Sequence, residues 1–338
     1  MKQLVYGTLT FLFLSVLFSK ALEAQELAVW KGFTRHNFTL EGHKARLVIP
    51  HESLPGKPWS WHVRRHCPLD ASAYHQMAGT LNNCRIRFER EGKGRVAFLG
   101  GSITYNPGWR DSVCNYLTDR FPDTDFEFVA AGIPSMGTTP AAFRLERDVL
   151  SRGRIDLLFE EAAVNDATNG RSSSDQVRAM EGIVRKLRHS NPSMDVVILH
   201  FVDPDKMNSY RAGKEPEVIR NHNLVAAHYQ IPTLNLAREV TERIDRGEFS
   251  WEDDFKNLHP SPFGQGIYAR SIIRFLEKSF VYEGISGSKL LPHCLPDPQD
   301  PFSYENGRLL DISSAEYGVG WLVDPLWNPG DGLGTRPY

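Results

Sequence analysis

The amino-acid sequence predicts an α/β fold, in which a parallel β-sheet of five strands has helices on both faces. Two features lead to this prediction. From residue 95 onward, short apolar segments typical of buried strands alternate with longer segments whose apolar residues recur at helical spacing. Strands that alternate with helices form parallel sheets. The length of 338 residues also leaves room for one such domain with extensions at its ends.

The individual elements follow from these patterns. The strand segments are residues 95–100, 125–132, 155–166, 194–202 and 231–236. The helical segments are residues 107–121, 139–153, 173–192, 215–230 and 262–278. Their ends carry suitable residues, since Pro107 favours a first helical turn and Gly153 fits a C-terminal cap. The Ser/Asp opening near Asp175 suits an N-cap.

The N-terminus has the pattern of a secretory signal peptide over residues 1–24. Lys2 supplies a basic start, residues 4–19 are apolar, and small residues precede a cleavage site near Ala24. A retained membrane anchor is the alternative, but the apolar run is shorter than a membrane span needs. We therefore expect an exported protein, secreted or periplasmic, without stable membrane insertion after cleavage.

Two extensions flank the predicted α/β domain at residues 81–280. Residues 25–80 contain several tryptophans without a clear period, and we expect an N-terminal extension that lies against the main domain. Residues 281–338 are rich in Pro, Gly and Asp and have no closing helix or strand pattern. We interpret them as a C-terminal extension, for which the start of a further, truncated domain is an open alternative.

Charge and cysteine content narrow the choice of partners. A net charge of −2 gives no reason to expect nucleic acid as a partner. The four cysteines have no paired spacing typical of metal sites, so neither a metal nor a cofactor is expected. In an exported protein Cys67 could pair with Cys84, although buried free thiols are equally compatible with the sequence. The oligomeric state is left open.

Chemically versatile residues follow the first three strands. Ser102 follows the first strand, Gly132 ends the second, and Asn165 ends the third. If the first strand lies between the other two, these carboxyl ends meet at one crevice. His259 comes much later, just before the last helix, and Asp254 precedes it.

Acyl transfer needs residues of these types. A nucleophile needs a base that takes its proton, and the tetrahedral intermediate needs donors for its oxyanion. Ser102 is the candidate nucleophile and His259 the candidate base, which Asp254 would orient. The N–H groups of Ser102 and Gly132 and the side-chain amide of Asn165 are candidate oxyanion donors. Asp166 is interpreted as a brace for its loop.

Four short segments resemble, in order and spacing, the signature blocks of the SGNH (GDSL-like) hydrolases. They are Gly101-Ser102-Ile103-Thr104, Gly132, Asn165-Asp166 and His259. The resemblance covers about residues 80–280 and is greatest to secreted bacterial carbohydrate esterases. It implies a flavodoxin-like three-layer α/β/α sandwich, and it implies the same catalytic and oxyanion-hole roles for these residues.

The sequence departs from the family pattern at two positions. Ala163 replaces the usual glycine of the third block, which is a mild change. Lys256 stands three residues before His259, where the family has aspartate. Asp254 and Asp253 are the remaining candidates for the acid, and a Ser–His dyad stays open.

The resulting hypothesis is a secreted serine esterase that removes O-acyl groups, chiefly O-acetyl, from polysaccharides or oligosaccharides. A lipase or thioesterase on other acyl groups is the nearest alternative. A glycoside hydrolase on the same scaffold would instead use two carboxylates, Asp254 with Asp166 or Glu161. A non-catalytic carbohydrate-binding module is a third alternative, which the presence of Ser102, Asn165 and His259 disfavours.

Overall fold

The computed structural model describes residues 70–281, 289–322, 324 and 326 in detail, and the backbone of three strands nearer the N-terminus. The chain divides into two compact units, Met1–Arg65 and His66–Tyr338. The described part of the first unit is an antiparallel sheet in the order β1-β2-β3. Its strands are β1 (Glu23–Trp30), β2 (Phe33–Leu40) and β3 (His43–Ile49). Residues 1–22, which hold most of the predicted signal peptide, lie outside the described residues.

The second unit contains a six-stranded sheet in the order β4-β9-β8-β7-β5-β6. Its strands are β4 (His75–Gln76), β5 (Lys93–Gly100), β6 (Asp125–Gly132), β7 (Leu157–Glu161), β8 (Asp195–Leu199) and β9 (Thr233–Leu234). Strands β5 to β9 run parallel, as predicted, and β4 pairs antiparallel with β9. The sixth strand escaped prediction because two residues are too few to show a pattern. β5 lies between β6 and β7, so the three strand ends that carry candidate residues meet.

Helices cover both faces of this sheet. In the described part of the second unit they are α1 (Asn82–Glu91), α2 (Ser102–Tyr105), α3 (Trp109–Arg120), α4 (Thr138–Asp148), α5 (Ala163–Thr168), α6 (Ser173–Ser190), α7 (Pro204–Arg211), α8 (Glu217–His228), α9 (Leu236–Asp245) and α10 (Pro262–Ser279). Among these residues no helix is both long and apolar enough to span a bilayer.

Alternation along the strands produces the three layers. Phe98 of β5 belongs to a core that includes residues of α3 and α10, whereas its neighbour Leu99 belongs to a second core with residues of α4 and α6. Successive side chains of a strand point to opposite faces, so a strand covered on both sides is apolar throughout. This is the predicted α/β/α sandwich.

The third predicted strand, residues 155–166, is wrong at its end. β7 stops at Glu161, and Ala163–Thr168 forms the short helix α5, which carries Asn165 and Asp166. The pairing of β7 with β8 extends only as far as Glu161 and Leu199, so no partner holds the following residues extended. A continuous apolar run does not reveal this change, because it suits a buried strand and a buried helix alike.

Part of the predicted C-terminal extension packs closely on the second unit, and we call residues 289–309 the C-terminal strap. The Arg185 guanidinium of α6 donates hydrogen bonds to Pro296 O at 2.7 Å and to Glu305 Oε2 at 2.6 Å. The buried carboxylate of Glu181 accepts the Gln299 N–H at 2.7 Å. The strap is therefore fixed by polar contacts along α6. Whether a further domain begins within residues 281–338 stays a prediction.

The described cysteines are free thiols, at positions 84, 114 and 294. Cys84 is fully buried in α1, where its Sγ lies 3.3 Å from Leu81 O. It therefore makes no disulfide with Cys67, which lies outside the described residues.

Candidate active site

Ser102 is the first residue of α2 and follows directly on the buried strand β5. The strand ends at Gly100, and the extended N-cap residue Gly101 turns the chain into the helix. In this position the Ser102 hydroxyl projects from the strand end, and its Oγ lies 2.7 Å from Nε2 of His259. The two residues are 157 positions apart in the sequence, and this contact has the geometry that a nucleophile and its base require.

His259 lies in a loop that is fixed at both ends. One turn of π-helix, Trp251–Phe255, precedes it, and Phe255 anchors that turn because its ring is fully buried and packs edge-on against Tyr268. On the other side, Ser261 caps α10, and its N–H donates to Phe255 O at 2.9 Å. The loop closes on itself, so the exposed imidazole is held over the end of β5.

The side chain of Asn165 lies directly beside residues 101–104. This segment carries Ser102, the candidate nucleophile, and we call it the nucleophile turn. A Cβ atom on Gly101 would come within 2.0 Å of Asn165 Oδ1, which is far inside van der Waals contact. Only glycine fits at position 101, because the Asn165 amide occupies the space that a Cβ atom would need. Although Asn165 lies on a helix rather than on the predicted strand, its side chain lies against Gly101, the residue before Ser102. Its role as an oxyanion donor stays a prediction.

Gly132 has a packing reason for its small size. A Cβ atom there would lie 2.4 Å from the backbone nitrogen of Tyr105, so helix α2 could not approach β6. The next amide, of Ile133, donates to Gly100 O at 2.9 Å and ties the two strand ends together. The glycine thus allows the nucleophile helix to sit against the strand end. Its role as an oxyanion donor stays a prediction.

A buried carboxyl group supports the nucleophile turn from below. Glu161 Oε1 accepts hydrogen bonds from the Gly101 N–H at 2.8 Å and from the Thr104 hydroxyl at 2.9 Å. Burial raises the pKa of Glu161 to about 7. Burial and the neighbouring Glu161 raise the pKa of Glu160 well above its ordinary value. Sequence reasoning assigned Glu161 no part in an esterase site.

Asp166 braces the helix that carries Asn165, as the sequence interpretation proposed. Its Oδ1 accepts the Thr138 N–H at 2.8 Å, and its Oδ2 accepts the Thr138 hydroxyl at 2.6 Å. His222 Nε2 lies 3.0 Å from the same Oδ2, and both side chains are fully buried. Asp166 and Glu161 therefore lie beneath the surface of the site. The glycoside hydrolase alternative needs one of these two carboxyl groups to reach a sugar.

Both candidate acids, Asp254 and Asp253, have contacts within the π-helical turn that precedes His259. Asp254 belongs to the π-helical turn, and its Oδ2 accepts the Ser250 N–H at 2.9 Å. Asp253 donates its own N–H to Ser250 Oγ at 3.0 Å. Lys256, at the position where the family pattern has aspartate, adopts φ 85° and ψ −67°. Such values are rare outside glycine, and strained backbone of this kind concentrates at functional sites.

Within the described part of the chain, no cluster of three or more His, Cys, Asp or Glu side chains could hold a metal ion.

A comparison with protein families identifies the chain. Residues 98–267, half of the sequence, match the model of the GDSL-like lipase/acylhydrolase family. The chain belongs to this family. The matched segment of this GDSL-like protein begins within β5 and ends within α10, so it contains Ser102, Gly132, Asn165 and His259. The resemblance predicted from the sequence is confirmed, and so is the class of enzyme, the carboxylic ester hydrolases. No curated protein matches the sequence.

Solved structures share the fold of this GDSL-like chain. A two-domain esterase active on acetylated mannans, co-crystallised with mannopentaose, matches 70% of this chain and 62% of its own, with 24% identity and a TM-score of 0.58. A second structure of such an esterase matches 63% and 54%, with 26% identity and a TM-score of 0.51. The chain thus spans less than two thirds of both structures. An acetylxylan esterase from Geobacillus stearothermophilus matches 56% and 95%, with 16% identity and a TM-score of 0.42.

Proposed function

We propose that this protein is a serine esterase that removes O-acetyl groups from carbohydrates. The observation that carries the proposal is the 2.7 Å contact between Ser102 Oγ and His259 Nε2 at the carboxyl end of β5. The 26% identical structure described as active on acetylated mannans supports an O-acetylated glycan as the substrate.

The reaction follows from the groups around Ser102. Its oxygen attacks the ester carbonyl carbon while His259 Nε2 takes the hydroxyl proton. The bond to the sugar oxygen then breaks, and His259 returns the proton to the leaving alcohol. Water attacks the acyl-enzyme in the same way, which releases acetate and restores Ser102. For Nε2 to accept a proton, Nδ1 must carry one, and Asp254 is the proposed acceptor of that N–H.

Asn165 would stabilise the negative charge that develops on the carbonyl oxygen. Its side chain lies against Gly101, one residue from the nucleophile. The N–H groups of Ser102 and Gly132 complete the proposed oxyanion hole. Each such donor is typically worth roughly 3 kcal/mol of transition-state stabilisation.

Export is part of the proposal. The basic and apolar N-terminal residues predict a signal peptide, and an esterase on acetylated polysaccharides would meet its substrate outside the cytoplasm. A fractionation experiment that finds the full-length chain only in the cytoplasm would contradict this part.

The experiment that tests the activity is acetate release from acetylated mannan, xylan and pectin by wild type and Ser102→Ala. A matched control is Ser279→Ala, whose hydroxyl donates to Phe275 O at the far end of α10. We expect release by wild type and by Ser279→Ala only. Equal release by Ser102→Ala would overturn the mechanism, whereas hydrolysis that rises with acyl chain length would favour the lipase or thioesterase alternative.

A further inference from the structure

A cleft of about 350 Å³ opens beside the nucleophile turn. Its lining includes Ile133 and Met136 from the loop after β6, Phe143 from α4, and Leu309 from the C-terminal strap. Volumes of this size are typical of small-molecule sites. None of the candidate catalytic residues lines it.

The cleft is adjacent to the candidate active site. Its lining residue Ile133 donates its N–H to Gly100 O at 2.9 Å. A Cβ atom on Gly101 would lie 3.4 Å from the carbonyl oxygen of Met136, which also lines the cleft. The loop that forms this wall therefore touches the turn that carries Ser102. A glycan whose ester group reaches Ser102 would extend its neighbouring sugars along this loop.

The charge of the cleft is positive. Three arginines, Arg144, Arg147 and Arg171, are among its lining residues, and no described lining residue is acidic. Asp148, outside the lining, pairs with Arg144 at 2.9 Å and with Arg147 at 2.6 Å. Asp148 thus pairs with two of the three guanidinium groups, and Asp175 interacts with the third, Arg171, which is exposed at the rim.

Two buried polar atoms of the lining residues have no hydrogen-bond partner, Arg144 Nε and Thr139 Oγ1. The Arg144 side chain is 2% exposed, and its terminal nitrogens are occupied by Asp148, Ala131 O and Gly100 O. Buried polar groups without partners are uncommon and often mark a site for a polar ligand or water. Both residues border the cleft, but these two atoms are covered by protein, so a ligand bound there would reach the exposed Arg171 rather than them.

The C-terminal strap closes the far side of the cleft. Lys186 of α6 donates to Ala142 O at 2.7 Å and also to Gly307 O, which ties the strap to α4. The ring of Tyr304 lies 5.6 Å from the ring of Phe143. These contacts bring Leu309 to the cleft, so part of its wall comes from outside the segment that matches the family.

We propose that this cleft is a subsite for a negatively charged sugar, which binds the carboxylate of a uronic acid close to the acetylated residue. Arg171, exposed at the rim, is the specificity-determining residue. Phe143 and Leu309 contact the apolar faces of the sugar ring. The proposal rests on the proposed function, and it narrows the substrate class to acetylated acidic glycans.

The test compares KM for two acetylated substrates of equal length, galacturonan oligosaccharides and neutral xylo-oligosaccharides, at low ionic strength. An exposed charge pair is worth about twofold to fivefold in affinity, so we expect wild type to have roughly threefold lower KM for the acidic substrate. Arg171→Gln should reduce this ratio towards one. Arg274→Gln, which removes a charge from the exposed side of α10, is the matched control and should keep the wild-type ratio.

Several outcomes would overturn the subsite. Equal KM values for both substrates in wild type would do so, and so would a preference that Arg171→Gln leaves intact. Turnover that rises with acyl chain length and falls in Leu309→Ser would assign the cleft to an acyl chain instead. The proposed function fails separately, if wild type does not hydrolyse p-nitrophenyl acetate or either acetylated substrate.

Discussion

The backbone amide of Gly101 donates a 2.8 Å hydrogen bond to Oε1 of Glu161, a fully buried carboxyl group behind the nucleophile turn. This contact couples the position of Ser102 to a titratable group. Thr104 donates to the same oxygen from the other side of the turn, at 2.9 Å. These two contacts share one acceptor atom, and burial disfavours the charged form of its carboxyl group.

The first prediction concerns stability and pH. Burial raises the pKa of Glu161 from 4.5 to about 7, so the folded protein keeps a proton that the unfolded chain loses. Stability is therefore expected to fall as pH rises from about 4.5 to about 7, by up to roughly 3 kcal/mol from this group. Glu161→Gln keeps an oxygen acceptor and should weaken this dependence, measured by urea unfolding at pH 5 and pH 8.

Glu277→Gln is the control for the loss of one carboxylate, because Glu277 is exposed and pairs with the exposed Arg274. It should leave the slope between pH 5 and pH 8 unchanged. A Glu161→Gln variant with the wild-type slope would mean that this carboxyl group does not titrate in that interval.

The second prediction concerns the space between Gly101 and Asn165. Asn165→Ala should lower kcat about 10² to 10³-fold, the usual effect of removing one oxyanion donor, with KM little changed. Gly101→Ala should also lower kcat, because its Cβ would displace the Asn165 amide. In the double variant Gly101→Ala/Asn165→Ala the clash is gone. We therefore expect its fold-decrease in kcat to be far smaller than the product of the fold-decreases of the two single variants. Multiplicative losses would show that the two residues act independently.

The third prediction separates the base from its orienting acid. His259→Ala should lower kcat by at least about 10³-fold, since it removes the base whose Nε2 lies 2.7 Å from the Ser102 hydroxyl. Asp254→Asn should lower it less, because one of its oxygens is already used by Ser250 within the π-helical turn. Steady-state kinetics with p-nitrophenyl acetate measures both. Equal, complete losses would instead make Asp254 a full member of a catalytic triad.

The fourth prediction concerns the C-terminal strap. Arg185→Met should destabilise the protein by about 2–3 kcal/mol. The reason is that the Arg185 guanidinium is buried, and without it Glu305 and Pro296 O lose their charged hydrogen-bond donor. Arg178→Met removes a more exposed pair with Asp300 and should destabilise the protein clearly less. Urea unfolding compares the two. Similar losses would mean that the Arg185 contacts contribute little.

Much of the fold was predictable because the parallel strands are apolar on both faces and the helices have a clear period. Phe98 and Leu99 pack into the two cores on opposite faces of the sheet, and the sequence of their strand is therefore a continuous apolar run. The change from strand to helix after Glu161 was not predictable, since only the end of pairing with β8 stops the strand.

The candidate site was predictable to a similar extent. Ser102 and Asn165 follow apolar strands at places where chain direction changes, so their chemistry stands out in the sequence. Glu161 does not, because a carboxyl group next to an apolar run gives no sign that a distant backbone amide will meet it. The packing of the C-terminal strap on α6 was not predictable either. Its contacts come from backbone groups and single charged residues, which form no periodic pattern in the sequence.

The C-terminal strap also bears on how far this chain can be shortened at its C-terminal side and still fold. The segment that matches the family ends at residue 267, yet Glu181 in the middle of α6 is fully buried and receives the backbone N–H groups of Gln299 and Asp300. Removing the chain after residue 280 would take away these two N–H donors and leave α6 with an open side. Recombinant versions bounded by the family match alone would therefore be expected to aggregate, whereas those that continue past residue 309 would retain a closed surface.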